Sequence, residues 1–552
     1  MKRLNIIALA MSALLFACTP QREVVDLIVI NAVIHTADAE FSIAEAMAIH
    51  DGIILAVGSK KDLLKSYDPV EVHDAEGRAL YPGFYDPHCH FYHYGAGLAT
   101  RADLTGTTSF EEVLGVMKRF AAEHPEGWLV GRGWDQNNWP VKEFPDNEEL
   151  NRLFPDRPVV LIRVDGHAVL ANDVALKRAG IDHRSVIQGG EIQKRSVTLT
   201  GILLDKAADI MKELFLEETT ASKAGGEELI RGILQGQENC FAVGLTTVGD
   251  AGLENSEIAL LRQLQNDNRL KMNIYAMITY TPENISEYIS KGVYHDGKMH
   301  IRSVKFYADG ALGSRGALLL EPYSDKPGYH GILTLEPEEF AEQCRELYNY
   351  GYQVNTHAIG DSANRLVLKT YARVLQQHND ARWRVEHAQV VHPEDMHYFT
   401  AYDIVPAINT THATSDMGWA GERLGSERVR YAYAYQDLLE AKGWLCNGSD
   451  FPMEQINPLL GFYAAVSRQD LHGMPEGGWQ PENKLSREDA LRAMTIWAAR
   501  ACFEEREKGS LEPGKRADFV ILDQDIMVIP VEKIPTTKVI STWINGVRIH
   551  GN

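Results

Sequence analysis

Tyr81-Pro82-Gly83-Phe84-Tyr85-Asp86-Pro87-His88-Cys89-His90 is a short apolar run that ends on two histidines one residue apart. Side chains two apart in an extended chain project to the same side, so His88 and His90 can grip one ion together. Similar runs recur downstream. Strands are predicted at Leu80–Asp86, Phe241–Val248, Met272–Tyr280, Ile301–Ala308, Gln353–His357, Arg384–His387, Ile404–Ile408 and Trp444–Asp450, with helical-period stretches such as Pro337–Tyr350 and Ala363–His378 between the later ones. Eight strands separated by helices predict an α/β fold of parallel βα units closed into a (β/α)8 TIM barrel. A barrel carries its chemistry at the C-terminal ends of its strands. His357 ends the fifth run, His387 the sixth and Asp450 the eighth, while Lys305 lies in the fourth. A lone His-x-His is a weak signal; four histidines and an aspartate at ordered strand ends point to a metal site.

Both chain ends are β-rich. Residues 24–34 read as a buried strand, and Ala46–His50 and Ile53–Val57 flank the turn Asp51-Gly52. Near the other end, Ala517–Asp523 follows Pro513-Gly514, and Asn545-Gly546 divides Val539–Ile549. The economical arrangement joins residues 24–80 and 509–552 in one β-sandwich domain beside a barrel made of residues 81–91 and 241–508. About 150 residues separate the first two barrel strands, far more than a βα unit needs. With the strand-like run Pro158–Val164 and its own helices, the segment 92–240 is predicted to be an α+β insertion after barrel strand 1.

Among 552 residues, 45% are apolar and 24% charged, which excludes a disordered or fibrous chain. A net charge of −21 argues against nucleic acid or an anionic membrane surface as a general electrostatic partner. Lys2 and Arg3 precede an apolar run from Leu4 to Ala17 that is too short to span a bilayer. Its end, Leu15-Phe16-Ala17-Cys18, resembles the lipobox of a bacterial lipoprotein. That resemblance implies a signal peptide at residues 1–17, lipidation of Cys18 and a linker at 18–23, with membrane contact only through the lipid. Thr19 in place of Asp favours an outer-membrane anchor facing the periplasm. Cys89, Cys240, Cys344, Cys446 and Cys502 are far apart and read as small buried hydrophobes.

The motifs resemble those of the amidohydrolase superfamily of metal-dependent hydrolases. The opening decapeptide, Gly448-Ser449-Asp450 and Gly509-Ser510-Leu511-Glu512-Pro513-Gly514-Lys515-Arg516-Ala517-Asp518 carry the likeness. Within the superfamily the chain is similar to the amidohydrolase 3 or YtcJ-like branch, which includes N-substituted formamide deformylases. The runs that carry this are Gly131-Arg132-Gly133-Trp134-Asp135-Gln136, Asp165-Gly166-His167, Lys305-Phe306-Tyr307-Ala308-Asp309-Gly310, Asn355-Thr356-His357-Ala358-Ile359-Gly360-Asp361 and Val385-Glu386-His387-Ala388. The resemblance implies two divalent metal ions, one on His88, His90 and Asp450 and one on His357 and His387, bridged by a carboxylated Lys305. Zn²⁺ suits this donor set best, with Mn²⁺, Fe²⁺ or Co²⁺ as alternatives. It implies that a metal-bound hydroxide attacks a small amide, N-acyl or N-formyl substrate, with Asp450 as general base and acid. His167 is a candidate for a catalytic, oxyanion or substrate contact. Trp134, Asp135, Asp309 and Arg315 are candidates for substrate binding, and Asp361 for capping the helix that follows it. A dipeptidase, a deaminase or cyclic-amide hydrolase, and a non-catalytic binding lipoprotein are the alternatives; a homodimer is compatible with all of them.

Overall fold

The computed structural model describes residues 22–551 other than 99, 221 and 222, so Cys18 and the expected leader lie outside the described residues. Eight parallel strands form the barrel: β1 (Phe84–Cys89), β2 (Leu245–Leu253), β3 (Asn273–Thr279), β4 (Met299–Tyr307), β5 (Gln353–Ala358), β6 (Arg384–His387), β7 (Val405–Ile408) and β8 (Cys446–Asn447). Neighbours pair in sequence order from β1 to β8. The seam between β8 and β1 is closed just past β8, where the Asp450 amide donates to the His88 carbonyl at 2.8 Å and the His90 amide to the Phe451 carbonyl at 2.8 Å. Gly448 makes this approach possible, because a Cβ there would lie 2.8 Å from the His88 backbone N and O.

The predicted run Leu80–Asp86 divides between two sheets. Ala79–Pro82 pairs antiparallel with Phe519–Leu522 in the end domain, and β1 begins only at Phe84. Gly83 is the crossing point, where a Cβ would overlap Thr246. The stretch 24–34 also divides, at Asn31 (φ 54°): Glu23–Ile30 joins a four-stranded sheet and Val33–His35 a six-stranded one. Phe241, expected to open the second barrel strand, instead lies in the helix Lys223–Ala242, and the turn through Gly244 (φ 85°) precedes β2. The two end sheets face each other across a shared core that joins Val29, Met47 and Ile49 to Leu80, Phe519 and Trp543. The turns Asp51-Gly52 and Asn545-Gly546 have positive φ at both positions, the geometry that suits two-residue hairpins.

Asp525 ties the chain ends together. Its carboxylate accepts from Tyr81 Oη at 2.6 Å and lies 3.1 Å from His35 Nε2. Burial opposes its ionisation, but these partners hold its pKa down at about 2. A depressed carboxylate contributes stability that is present above its unfolded value, near 4, and is lost as pH falls towards 2. Asp525→Asn is therefore expected to cost about 1–2 kcal/mol at neutral pH, after allowing for solvent screening. The difference from wild type should vanish near pH 2 in urea titrations run across that range.

Between β1 and β2 the chain builds a separate six-stranded sheet, in the order Gly190–Arg195, Thr198–Asp205, Ala168–Ala171, Val159–Arg163, Leu129–Trp134 and Ala102–Asp103. Helices Phe91–Leu98 and Lys223–Ala242 cross at its root. Gly95 and Gly232 meet there so closely that a Cβ on Gly232 would stand 2.1 Å from the Gly95 carbonyl oxygen. No helix among the described residues is long and apolar enough to cross a membrane.

Candidate metal centre

The C-terminal ends of β1, β6 and β8 deliver their polar side chains to one place. His88 Nε2 and His90 Nε2 lie 3.5 and 3.4 Å from Asp450 Oδ1. The edge of a tetrahedron around an ion with ligands at about 2.0–2.1 Å is about 3.3–3.4 Å, so the spacing suits Zn²⁺. Asp450 Oδ1 and His387 Nδ1 are buried without a hydrogen-bond partner, as expected of atoms meant for an ion. His387 (φ 70°) and Asp450 (φ 63°) are both held in the left-handed region, a costly backbone that is common at functional sites.

Each of the first two histidines has its tautomer set from behind. Glu386 Oε2 lies 2.5 Å from His88 Nδ1, and the Ala251 carbonyl accepts from His90 Nδ1 at 3.0 Å, so both rings turn Nε2 towards Asp450. Arg384 in turn clamps Glu386, with Nε at 2.6 Å and Nη2 at 2.7 Å. Burial opposes ionisation of Glu386, but Arg384 and His88 bring its pKa down to about 2. Burial and the Lys305 charge push His88 to about 4, which keeps it in the neutral, metal-binding form. Lys305 Nζ donates to His88 Nε2 at 3.1 Å, and burial lowers its pKa to about 8, so far more free amine is present near neutral pH than for an exposed lysine.

His412 joins the group although no motif pointed to it. It sits in the first turn of helix Thr410–Asp416, just after β7, with Nε2 3.6 Å from Asp450 Oδ2 and its ring stacked on His387. Two sets therefore have ligand atoms within 4.8 Å of one another: His88, His90 and Asp450, and His387, His412 and Asp450. His357 was expected to share an ion with His387. Its ring meets His387 edge-on, with centroids 4.5 Å apart, and its Nε2, 3.6 Å from Asp309, is likewise buried without a hydrogen-bond partner.

The amidohydrolase family profile matches residues 71–550. The chain belongs to the amidohydrolase family. The protein LONG AFTER FAR-RED 3 of Arabidopsis thaliana is 32% identical over 555 residues, which cover 96% of this chain and 92% of the relative. N-substituted formamide deformylase of Arthrobacter pascens is 26% identical over 95% of this chain and 98% of its own length. The crystal structure of an uncharacterized metal-dependent hydrolase from Pyrococcus horikoshii superposes with a TM-score of 0.74 at 27% identity, covering 92% of this chain and 99% of that one. With its fold and its histidine–carboxylate cluster, this amidohydrolase is a metal-dependent hydrolase.

The structure separates the remaining candidates of this amidohydrolase. His167 reaches in from the insertion, its Nδ1 donating to Asp205 at 2.8 Å and its ring 5.0 Å from that of His357. Trp134, expected to line the pocket, is instead in the insertion core, where Nε1 donates to the Leu161 carbonyl at 3.0 Å. Asp135 is occupied by Arg163 and the Asn137 amide. Arg315 is locked to Asp325 by Nε at 3.2 Å and Nη2 at 2.8 Å, so it is a loop salt bridge rather than a substrate contact. Asp309 spends its carboxylate on the amides of Leu318, Ile359 and Gly360, tying the loops after β4 and β5 together. Asp361 does not cap its helix; Oδ1 accepts from the Leu320 amide at 2.8 Å and Oδ2 from Tyr431 Oη at 3.3 Å.

Proposed function

We propose that this amidohydrolase hydrolyses the carbon–nitrogen bond of a small amide-type compound, an N-acyl or N-formyl substrate, with Asp450 moving the proton. The observation that carries the reading is the Asp450 carboxylate, shared between two histidine sets with Oδ1 free of any hydrogen bond. His88, His90 and Asp450 would hold a divalent ion, which when bound would supply a Lewis acid and lower the pKa of water. Asp450 takes the proton of the attacking water and returns it to the leaving nitrogen, so no serine or cysteine nucleophile is needed. His167, fixed on its Nδ1 side by Asp205, offers Nε2 to the carbonyl oxygen of the substrate. The similarity to a formamide deformylase supports the N-formyl variant of this reading.

Lys305 is proposed to act as a carbamate. Its free amine attacks the carbon of carbon dioxide, an N–C bond forms as one C=O π bond opens onto oxygen, and the nitrogen proton goes to solvent, leaving an anionic oxygen donor that could serve as a metal ligand. Its burial and lowered pKa support this. Loading the protein with Zn²⁺ and bicarbonate and counting metal by mass spectrometry is expected to give about two ions per chain, falling on Lys305→Ala. About one ion, unchanged by that substitution, would replace the bridged site with a mononuclear one. A fully loaded protein that cleaves no N-formyl or N-acyl amine would sink the substrate class. The lipid anchor at Cys18 remains part of this proposal, and mass spectrometry of the membrane-extracted protein tests it.

A further inference from the structure

Another group of metal-type ligands lies at the opposite end of the barrel. His300 is the second residue of β4, about 16 Å along the strand from Lys305. The short strand Tyr294–His295 pairs antiparallel with β4 and sets His295 directly across from His300. Opposed residues of an antiparallel pair carry their side chains on one face, and here the two rings stack with centroids 4.5 Å apart. Glu504 reaches the same place from the loop after helix Ile496–Ala501. His295, His300 and Glu504 each offer one ligand atom, and these atoms lie within 4.8 Å of one another. Glu507 stands beside them, with Oε1 3.6 Å from His295 Nδ1.

The separations are those of neighbouring ligands rather than of close ion pairs. In the hydrogen-bonded pairs His167–Asp205 and His378–Asp403, imidazole and carboxylate are 2.8 Å apart. His300 Nδ1 is 3.3 Å from Glu504 Oε1, close to the 3.4 and 3.5 Å at which His90 and His88 face Asp450. It also matches the edge of a zinc tetrahedron, about 3.3–3.4 Å. The other oxygen of Glu504 is held by Tyr85 Oη at 2.9 Å and Lys508 Nζ at 3.2 Å, so the carboxylate is anchored and Oε1 is left for an ion. Burial opposes ionisation of Glu504, but Lys508, His300 and Tyr85 hold its pKa far below the usual carboxylate range. Burial and the neighbouring His300 keep His295 below its ordinary value, in the form that has a lone pair to give. The Lys508 charge works against an ion here, and the Glu507 carboxylate offsets it.

An ion has a way in. The His295 side chain is 28% exposed, and its hairpin borders a groove of about 780 Å³ between the barrel and the end domain. Asp26, Asp51, Asp296 and Glu507 line the groove against Lys298 and Arg516, an excess of negative charge that draws cations. Arg516 donates to the Gly297 carbonyl and to Asn273, which pins the hairpin to the end domain.

We propose that His295, His300 and Glu504, supported by Glu507, form a separate Zn²⁺ site that fastens the start of β4 to the segment leading into the end domain. Two imidazoles and a carboxylate are a zinc donor set. The site shares no residue with the centre at the other end of the barrel and does not depend on the hydrolytic reading. After equilibrium dialysis of the full chain against micromolar Zn²⁺, His295→Ala should hold one ion fewer per chain than wild type, counted by mass spectrometry, with an unchanged circular-dichroism spectrum. The same difference should persist when both proteins carry Asp450→Asn, and Zn²⁺ should then raise the melting temperature more in the protein that keeps His295. Equal metal content or an equal rise in melting temperature would overturn the site. So would a difference that disappears in the Asp450→Asn background, because the counted ion would then belong to the other centre. Glu504→Gln should lose the same ion, and a folded Glu504→Gln protein that keeps it would also overturn the site.

Discussion

Asp450→Asn is expected to lower kcat/KM by at least ~10³-fold while the chelated protein keeps its circular-dichroism spectrum. The substitution removes a ligand oxygen and the proton acceptor at once, and general acid–base groups alone contribute about 10²–10⁴-fold. The fold should survive because asparagine tolerates the left-handed backbone at this position, φ 63°, better than most residues. It also keeps the amide that donates to the His88 carbonyl and closes the barrel seam. Turnover of an N-formyl amine and bound metal are to be measured side by side. More than a tenth of wild-type turnover in the variant would take Asp450 out of the proton path.

Arg384→Met should have the largest effect on stability. Arg384 and Glu386 are both fully buried and joined by two short hydrogen bonds, and the arginine also reaches the Pro87 carbonyl at 3.0 Å. Removing the cation leaves the carboxylate in the barrel interior with little beyond His88 to balance it, a loss of about 3–5 kcal/mol. It should appear as a lowered urea midpoint of the chelated protein. Adding Glu386→Leu removes the stranded charge and should restore much of that stability. Activity should not return with it, because His88 Nδ1 loses the acceptor that orients the ring, a change worth about 10–100-fold in metal affinity or activity. A double variant no more stable than the single one would mean that packing of the arginine stem, not charge, is what the barrel loses.

His88, His90, His387 and Asp450 were legible because strand geometry is local: a short apolar run ending on a ligand has one way to present it. His412 was not, since it lies one turn into a helix, where no strand alternation marks it. The only signal was the polar stretch Asn409-Thr410-Thr411-His412 directly after the apolar end of β7. Trp134 and Arg315 were assigned to the pocket because a glycine-flanked loop residue looks the same whether it faces substrate or protein. Partners 27 and 10 residues away, Leu161 and Asp325, decide the matter, and neither is implied by the motif itself. The division of residues 24–34 and 80–86 between two sheets rests on single backbone positions, Asn31 and Gly83. Hydrophobic patterning runs straight through both.

The way the end domain is assembled bears on how the protein is made. Ala79–Pro82 pairs with a strand from the far end of the chain, and Tyr81 is 444 residues from its partner Asp525. A ribosome adding about 5–20 residues per second needs roughly 20–90 s to cover that interval. For all that time the early apolar strands lack the sheet that will cover them, while the insertion and the barrel are still emerging. Any nascent chain released after the barrel but before Phe519 would carry an open sheet edge, the kind of surface on which neighbouring chains add strands and aggregate.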